Sequence, residues 1–173
     1  MVSTTRLARV RYFYDTEFIE DGRTIELISI GVAAEDGREY YAVSTEFDPE
    51  RAGPWVRANV LPKLPPPASQ QWRSRRQIRE DLEDFFGLYS GGAAPEPIEL
   101  WAWVAAYDHV ALCQLWGTMP ELPRSIPRFT RELRQLWEDR GSPQMPPRSS
   151  DAHDALVDAR DQLRRYRIIT SGG

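Results

Sequence analysis

The sequence predicts a single α/β domain, a mixed sheet flanked by helices. Strand-like segments dominate the first part of the chain, and strand and helix signals alternate in the second half, so antiparallel pairing comes first and at least one parallel pairing follows. Size agrees: 173 residues, 41% hydrophobic and 28% charged, suit one globular core.

The first strand is expected over residues 11–15, where Tyr12, Phe13 and Tyr14 favour extended backbone. Residues 24–33 and 38–44 follow as strands around Glu35-Asp36-Gly37, a turn signal that predicts an antiparallel hairpin. The Pro-rich stretch over residues 49–67, ending in LPKLPPP, reads as a surface loop without helix. In QWRSRRQIREDLEDFFGLY, Ile78, Leu82, Phe85, Phe86 and Tyr89 recur at helical spacing, with Gly91-Gly92 as the stop. Residues 98–104, apolar on both faces, predict a central strand, and residues 107–116 a helix ended by Gly117. A helix over 130–141 starts from Thr130 as N-cap, and a last helix covers 154–167. Residues 127–129 are a candidate for one more short strand. Residues 1–9 and 171–173 are expected to be flexible ends of a domain spanning 10–170.

No apolar run approaches the length of a membrane span, and the first ten residues lack the apolar centre of a secretory signal, so a cytoplasmic location is expected. Cys113 is the only cysteine, which excludes an intrachain disulfide and a thiolate metal cluster; its neighbours suggest packing. The formal charge of -4 gives no basic field, so a nucleic acid would have to be gripped locally, by metal ions or by the arginine clusters at 73–79 and 160–167. Those clusters read more readily as solvated helix faces.

Asp15 and Glu17 close an aromatic run one residue apart, and alternate residues of a strand project from one face. Like charges side by side repel unless a cation lies between them. Alone, the pair reads either as a solvated strand end or as part of a ligand set. Two further acids favour the second reading. Asp108 follows the central strand, where open α/β sheets place their sites, and Asp158 borders the apolar stripe of Ala155, Leu156, Ala159 and Leu163 on the last helix, where a lone carboxylate is costly to bury. Four carboxylates suit two hard cations, Mg2+ or Mn2+, the arrangement that clamps a phosphoryl displacement. Such chemistry also needs a proton acceptor, and His109 and His153 are the only histidines. His153, on the loop entering the last helix, is placed to lean over the acids. His109 points about 100° away from Asp108 on a helix and reads as packing.

Taken in order, Asp15-Thr16-Glu17, Tyr107-Asp108 and His153-x-Ala155-x-x-Asp158-Ala159 resemble the three motifs of the DEDDh 3′-to-5′ exonucleases, a ribonuclease T-like family, over residues 11–167. The stretches YFYDTEFIEDG and ELWAWVAAYDHVALCQLWG are most similar to the actinobacterial polyadenylate-specific exoribonucleases. The resemblance implies a ribonuclease H-like fold with Asp15, Glu17, Asp108 and Asp158 as metal ligands and His153 as general base. It also implies two magnesium ions, single-stranded RNA with A-rich tails as substrate, release of nucleoside 5′-monophosphates, and a homodimer. Two positions depart from the family pattern: Phe18-Ile19 stands where many relatives have Thr-Thr-Gly, and Val104 where the second motif usually has Asn.

For substrate contacts, Phe18 either stacks on a base or packs in the core, and Thr16, between the two acids, is the second candidate. Trp101 and Trp103 are expected in the core. The preference for adenine is carried by the resemblance and by no residue. A 3′-to-5′ DNA exonuclease and a catalytically silent RNA-binding or dimerisation domain remain as alternatives.

Overall fold

Alternation along the first strand decides what each face of the sheet receives. The computed structural model describes residues 10–89 and 97–171; of the segments expected to be flexible, 1–9 and residues 172–173 of the 171–173 tail lie outside them, as does the Gly91-Gly92 stop, while Ser171 is helical. Strand β1 (Val10–Glu20) continues past Asp15, its expected end, so Asp15 and Glu17 sit within the strand. Tyr12 and Tyr14 enter the main core on one face, while Phe13 and Ile19 enter smaller cores on the other, following the two-residue period of a strand. Asp15 and Glu17 share the second face.

The expected hairpin forms from β2 (Ile25–Ala34) and β3 (Glu39–Ser44), closing at Gly37 with φ 93°. β4 (Trp72–Arg73) pairs parallel with β3. β5 (Ile98–Ala102) pairs parallel with β1, and β6 (Arg131–Glu132) pairs parallel with β5. The order is β4-β3-β2-β1-β5-β6. This mixed sheet flanked by helices is consistent with a ribonuclease H-like architecture.

Four differences from the sequence-based expectation have physical causes. Residues 49–67 are not a plain surface loop. Pro54 opens helix α1 (Pro54–Asn59) at a position whose N–H has no helical partner anyway, a 3₁₀ turn follows over Leu61–Lys63, and Ala52 and Val60 pack against Ile19 and Ile28. Helix α2 (Arg75–Phe85) begins with a Ser74–Gln77 capping box, buries Ile78 and Leu82, and turns at Gly87 with φ 66°, earlier than expected. β5 ends at Ala102, because Val104 takes a left-handed φ of 58°, strained for a β-branched residue, and turns the chain into α3 (Ala106–Cys113). Finally, residues 127–129 form no strand, and Thr130 is not a cap. Helix α4 (Leu133–Asp139) starts at Glu132, whose carboxylate accepts from Arg134 N and from the backbone N–H groups of Val104 and Ala105, the latter two at 2.8 Å.

Arg76, paired with Glu80, and Arg164, paired with Asp161, lie on solvated helix faces as expected, but Arg165 does not: its side chain turns inward onto Asp161 and the Trp103 ring. Among the described residues no helix is long and apolar enough to cross a membrane.

Helix α5 (Ala155–Ser171), extending past the expected end at Arg167, lies across β1 and β2. Its first turn meets the sheet at Gly31, where an added β-carbon would overlap the backbone of Ala155 and Leu156. Gly31 is also the β2 residue paired with Asp15. Gly31→Ala should therefore push α5 away and destabilise the fold by about 1–3 kcal/mol, the usual penalty for overpacking. Urea denaturation checks this, and parental stability in the variant would show that α5 has room to spare.

Candidate active site

The start of α5 presents both Asp158 and His153. Asp154 Oδ1 accepts from Leu156 N and Val157 N, each at 3.0 Å, and so caps the helix. His153 is thereby left on the incoming loop, as expected, with a left-handed φ of 74°. Its backbone N–H donates to Asp158 Oδ2 at 2.8 Å. Glu17, His153 and Asp158 each bring a ligand atom within 4.8 Å of the others, close enough to share one cation.

Asp108 arrives from the first turn of α3, just beyond β5. β5 pairs with β1 only as far as Phe13, which leaves the N–H of Thr16 without a strand partner. Asp108 Oδ1 takes that N–H at 2.8 Å and the Thr16 hydroxyl at 2.6 Å. Asp15 Oδ1 accepts from Gln162 Nε2 at 3.1 Å. Neither Asp15 nor Asp108 belongs to the tight trio, but Asp15 feels its charge. Burial, then Asp108, Glu17 and Asp158, hold the Asp15 carboxyl well above the usual range. Burial, helped by Asp158 and Asp108, pushes Glu17 up to about 8. Burial lifts Asp108 to about 6 against the hydrogen bonds from Thr16, which lower it. Buried, mutually repelling carboxylates with oxygen donors turned toward one another suit a hard divalent cation.

The other sequence-derived candidates divide. Phe18 is not in the core: it is half-buried, stacks on Tyr107 with centroids 5.7 Å apart and planes 6° apart, and lines a cleft of about 390 Å³ with Glu17, Trp55 and Val56. Thr16, a candidate for substrate contact, is buried, with its N–H and its hydroxyl both on Asp108 Oδ1. His109 lies apart, its Nδ1 at 3.0 Å from Thr130 Oγ1 and its Nε2 at 3.4 Å from Cys113 Sγ, a packing role in keeping with its spacing. Cys113 packs against the main core. Trp101 is buried, whereas Trp103 is half-buried and lines a second cleft of about 390 Å³ with Asp15, Arg148, Asp158, Gln162 and Arg165.

A family described as the 3′-5′ exoribonuclease Rv2179c-like domain matches residues 10–170. The chain belongs to that family. Two Mycobacterium tuberculosis proteins, 3′-5′ exoribonuclease Rv2179c (strain ATCC 25618 / H37Rv) and 3′-5′ exoribonuclease MT2234.1 (strain CDC 1551 / Oshkosh), are each 78% identical over 162 residues, 94% of this chain and 94% of each relative. The crystal structure of cell-death related nuclease 4 (CRN-4) superimposes with a TM-score of 0.55 at 9% identity, covering 96% of this chain and 65% of that one, a likeness of fold alone.

Around its DEDDh acids, this Rv2179c-like domain carries residues that the motifs do not mark. Trp55 on α1 meets the His153 ring edge-on at 4.7 Å and 87°. Lys63 Nζ donates to the carbonyl of Ala152, one residue before His153. Both come from the Pro-rich segment, which gives no sequence signal of contact with the last helix. Gln162 could have been found, because four residues after Asp158 it stands on the same side of a helix.

The acids set a pH dependence whose sign follows from Glu17. Its carboxyl titrates near 4.5 in an unfolded chain and at about 8 in the fold, so between those values the folded state holds a proton that the unfolded chain has lost. Stability of the metal-free protein should then fall as pH rises through that window. Melting temperatures in EDTA from about pH 5 to about pH 8 should decline, and Glu17→Gln should flatten the decline. A flat or rising profile in the parent protein would show that burial and mutual repulsion do not hold these carboxyls above their usual range.

Proposed function

We propose that this protein is a metal-dependent 3′-to-5′ exoribonuclease that shortens single-stranded RNA, A-rich tails among its substrates, and releases nucleoside 5′-monophosphates. The observation that carries the reading is the convergence of Glu17, His153 and Asp158 within 4.8 Å at the edge of an aromatic cleft. Asp15, Glu17, Asp108 and Asp158 would hold two magnesium ions, or manganese in their place, since hard cations take oxygen ligands. When bound, the ions supply Lewis-acid activation of water and neutralise charge at the phosphate.

The chain supplies the rest. His153 is the general base: burial lowers its pKa against the pull of Asp158, so the ring is neutral near pH 7 and able to accept a proton from the attacking water. Trp55 and the Lys63 bond to Ala152 hold that ring and its loop in place. Phe18, backed by Tyr107, offers a flat wall for the terminal base, and Trp55 lines the same cleft. Stacking of this kind favours an unpaired 3′ end. The adenine preference and a homodimer are supported by the family resemblance, and a cytoplasmic site of action by the reading of the amino-acid sequence.

End-labelled RNA and DNA of one sequence, incubated with Mg2+ and with EDTA, test the reading. Stepwise 3′ shortening of RNA in Mg2+ alone is expected, with Asp158→Ala folded but inactive. Equal cleavage of DNA would make it a general exonuclease, and RNA binding without cleavage would make it a silent module.

Histidine substitutions test the base assignment. His153→Ala should lower turnover by about 100-fold to 10,000-fold while Mn2+ binding persists, whereas His109→Ala should stay near the parent. The reverse pattern would remove His153 from its role.

A further inference from the structure

We propose that Gln162 is a positioning residue that orients Asp15 for the metal site, an inference resting on the reading of Asp15 as a ligand. Gln162 lies one helical turn beyond Asp158 on α5 and is 4% exposed. Its Nε2 donates to Asp15 Oδ1 at 3.1 Å, and its Oε1 is buried without a partner among the described residues. Against the ionised Asp15 that a metal ligand must be, the reverse amide orientation would set two oxygens against each other, so the donor end faces the acid. Packing alone does not call for this side chain, because leucine or methionine would fill the volume with no unsatisfied acceptor.

The same arrangement recurs at the neighbouring acids. Asp108 Oδ1 is held by Thr16, and Asp158 Oδ2 by the backbone of His153. In all three aspartates a protein donor fixes one oxygen and thereby the plane of the carboxylate. Thr16 and His153 belong to the acid-bearing motifs; Gln162 does not, and it performs the equivalent task for Asp15. A donor of this kind sets which oxygen is turned to a cation, and losing it typically weakens metal affinity or activity about 10-fold to 100-fold.

The test is calorimetric titration of Mn2+ into the RNA-free protein, paired with melting of the metal-free protein, for Gln162→Met and Gln162→Leu. The Mn2+ dissociation constant should rise about 10-fold to 100-fold in both, while the metal-free melting temperature stays at or above the parent's and KM for RNA is unchanged. Excess Mn2+ should restore kcat. Parental Mn2+ affinity in either variant would overturn the proposal, and so would an affinity loss accompanied in both by a lowered metal-free melting temperature, the mark of a packing residue. A parent protein that bound no Mn2+ would overturn the metal-site reading itself, a result distinct from failure in the variants alone.

Discussion

The site depends on one close approach: the first turn of α5 rests on the backbone of β2 at Gly31, where there is no side chain to hold it off. Gly31 pairs with Asp15 across the sheet, so the place where the helix comes down is also the place where the first acid projects. Asp158, in that first turn, is thereby brought to Glu17 and Asp15, and His153, left outside the helix by the Asp154 cap, arrives with it. The sequence spacing of the third motif has its meaning in this contact.

Proximity has an electrostatic consequence. Two unit charges about 4.8 Å apart repel by about 3 kcal/mol at the effective dielectric of a protein site, and a whole domain is stable by only about 5–15 kcal/mol. Burial first, and this repulsion after it, drive Glu17 and Asp15 toward their protonated forms in the absence of a counter-charge. Rigid donors to the carboxylates keep the acids from turning away from one another, and the Pro-rich segment holds the histidine loop from the other side. The fold keeps the acids and His153 together under a repulsion that a divalent ion would relieve.

Much of this was legible in the sequence because the signals were local. The Glu35-Asp36-Gly37 turn marked the hairpin, the apolar spacing of Ile78 and Leu82 marked α2, and the order of acids and histidine marked the site. What escaped depended on tertiary contact. Charged residues within β1 look like the end of a strand until Asp108 and α5 are seen to enclose them. Pro54 at the start of a helix looks the same as proline in a loop, so α1 and the role of Trp55 were hidden. β6 is two residues long, too short for any periodicity, and Glu132 acts on the remote turn at Val104 and Ala105.

Proton release on metal binding interrogates the repulsive acid cluster most directly. A cation displaces the protons that buried carboxylates hold, so titrating Mg2+ or Mn2+ at pH 7 in buffers of different ionisation enthalpy should release about one proton or more per protein. The number should fall as pH rises past about 8, where Glu17 loses its proton unaided. Metal binding at neutral pH with no proton released would contradict the account, because it would mean that the acids stand ionised side by side without needing a cation.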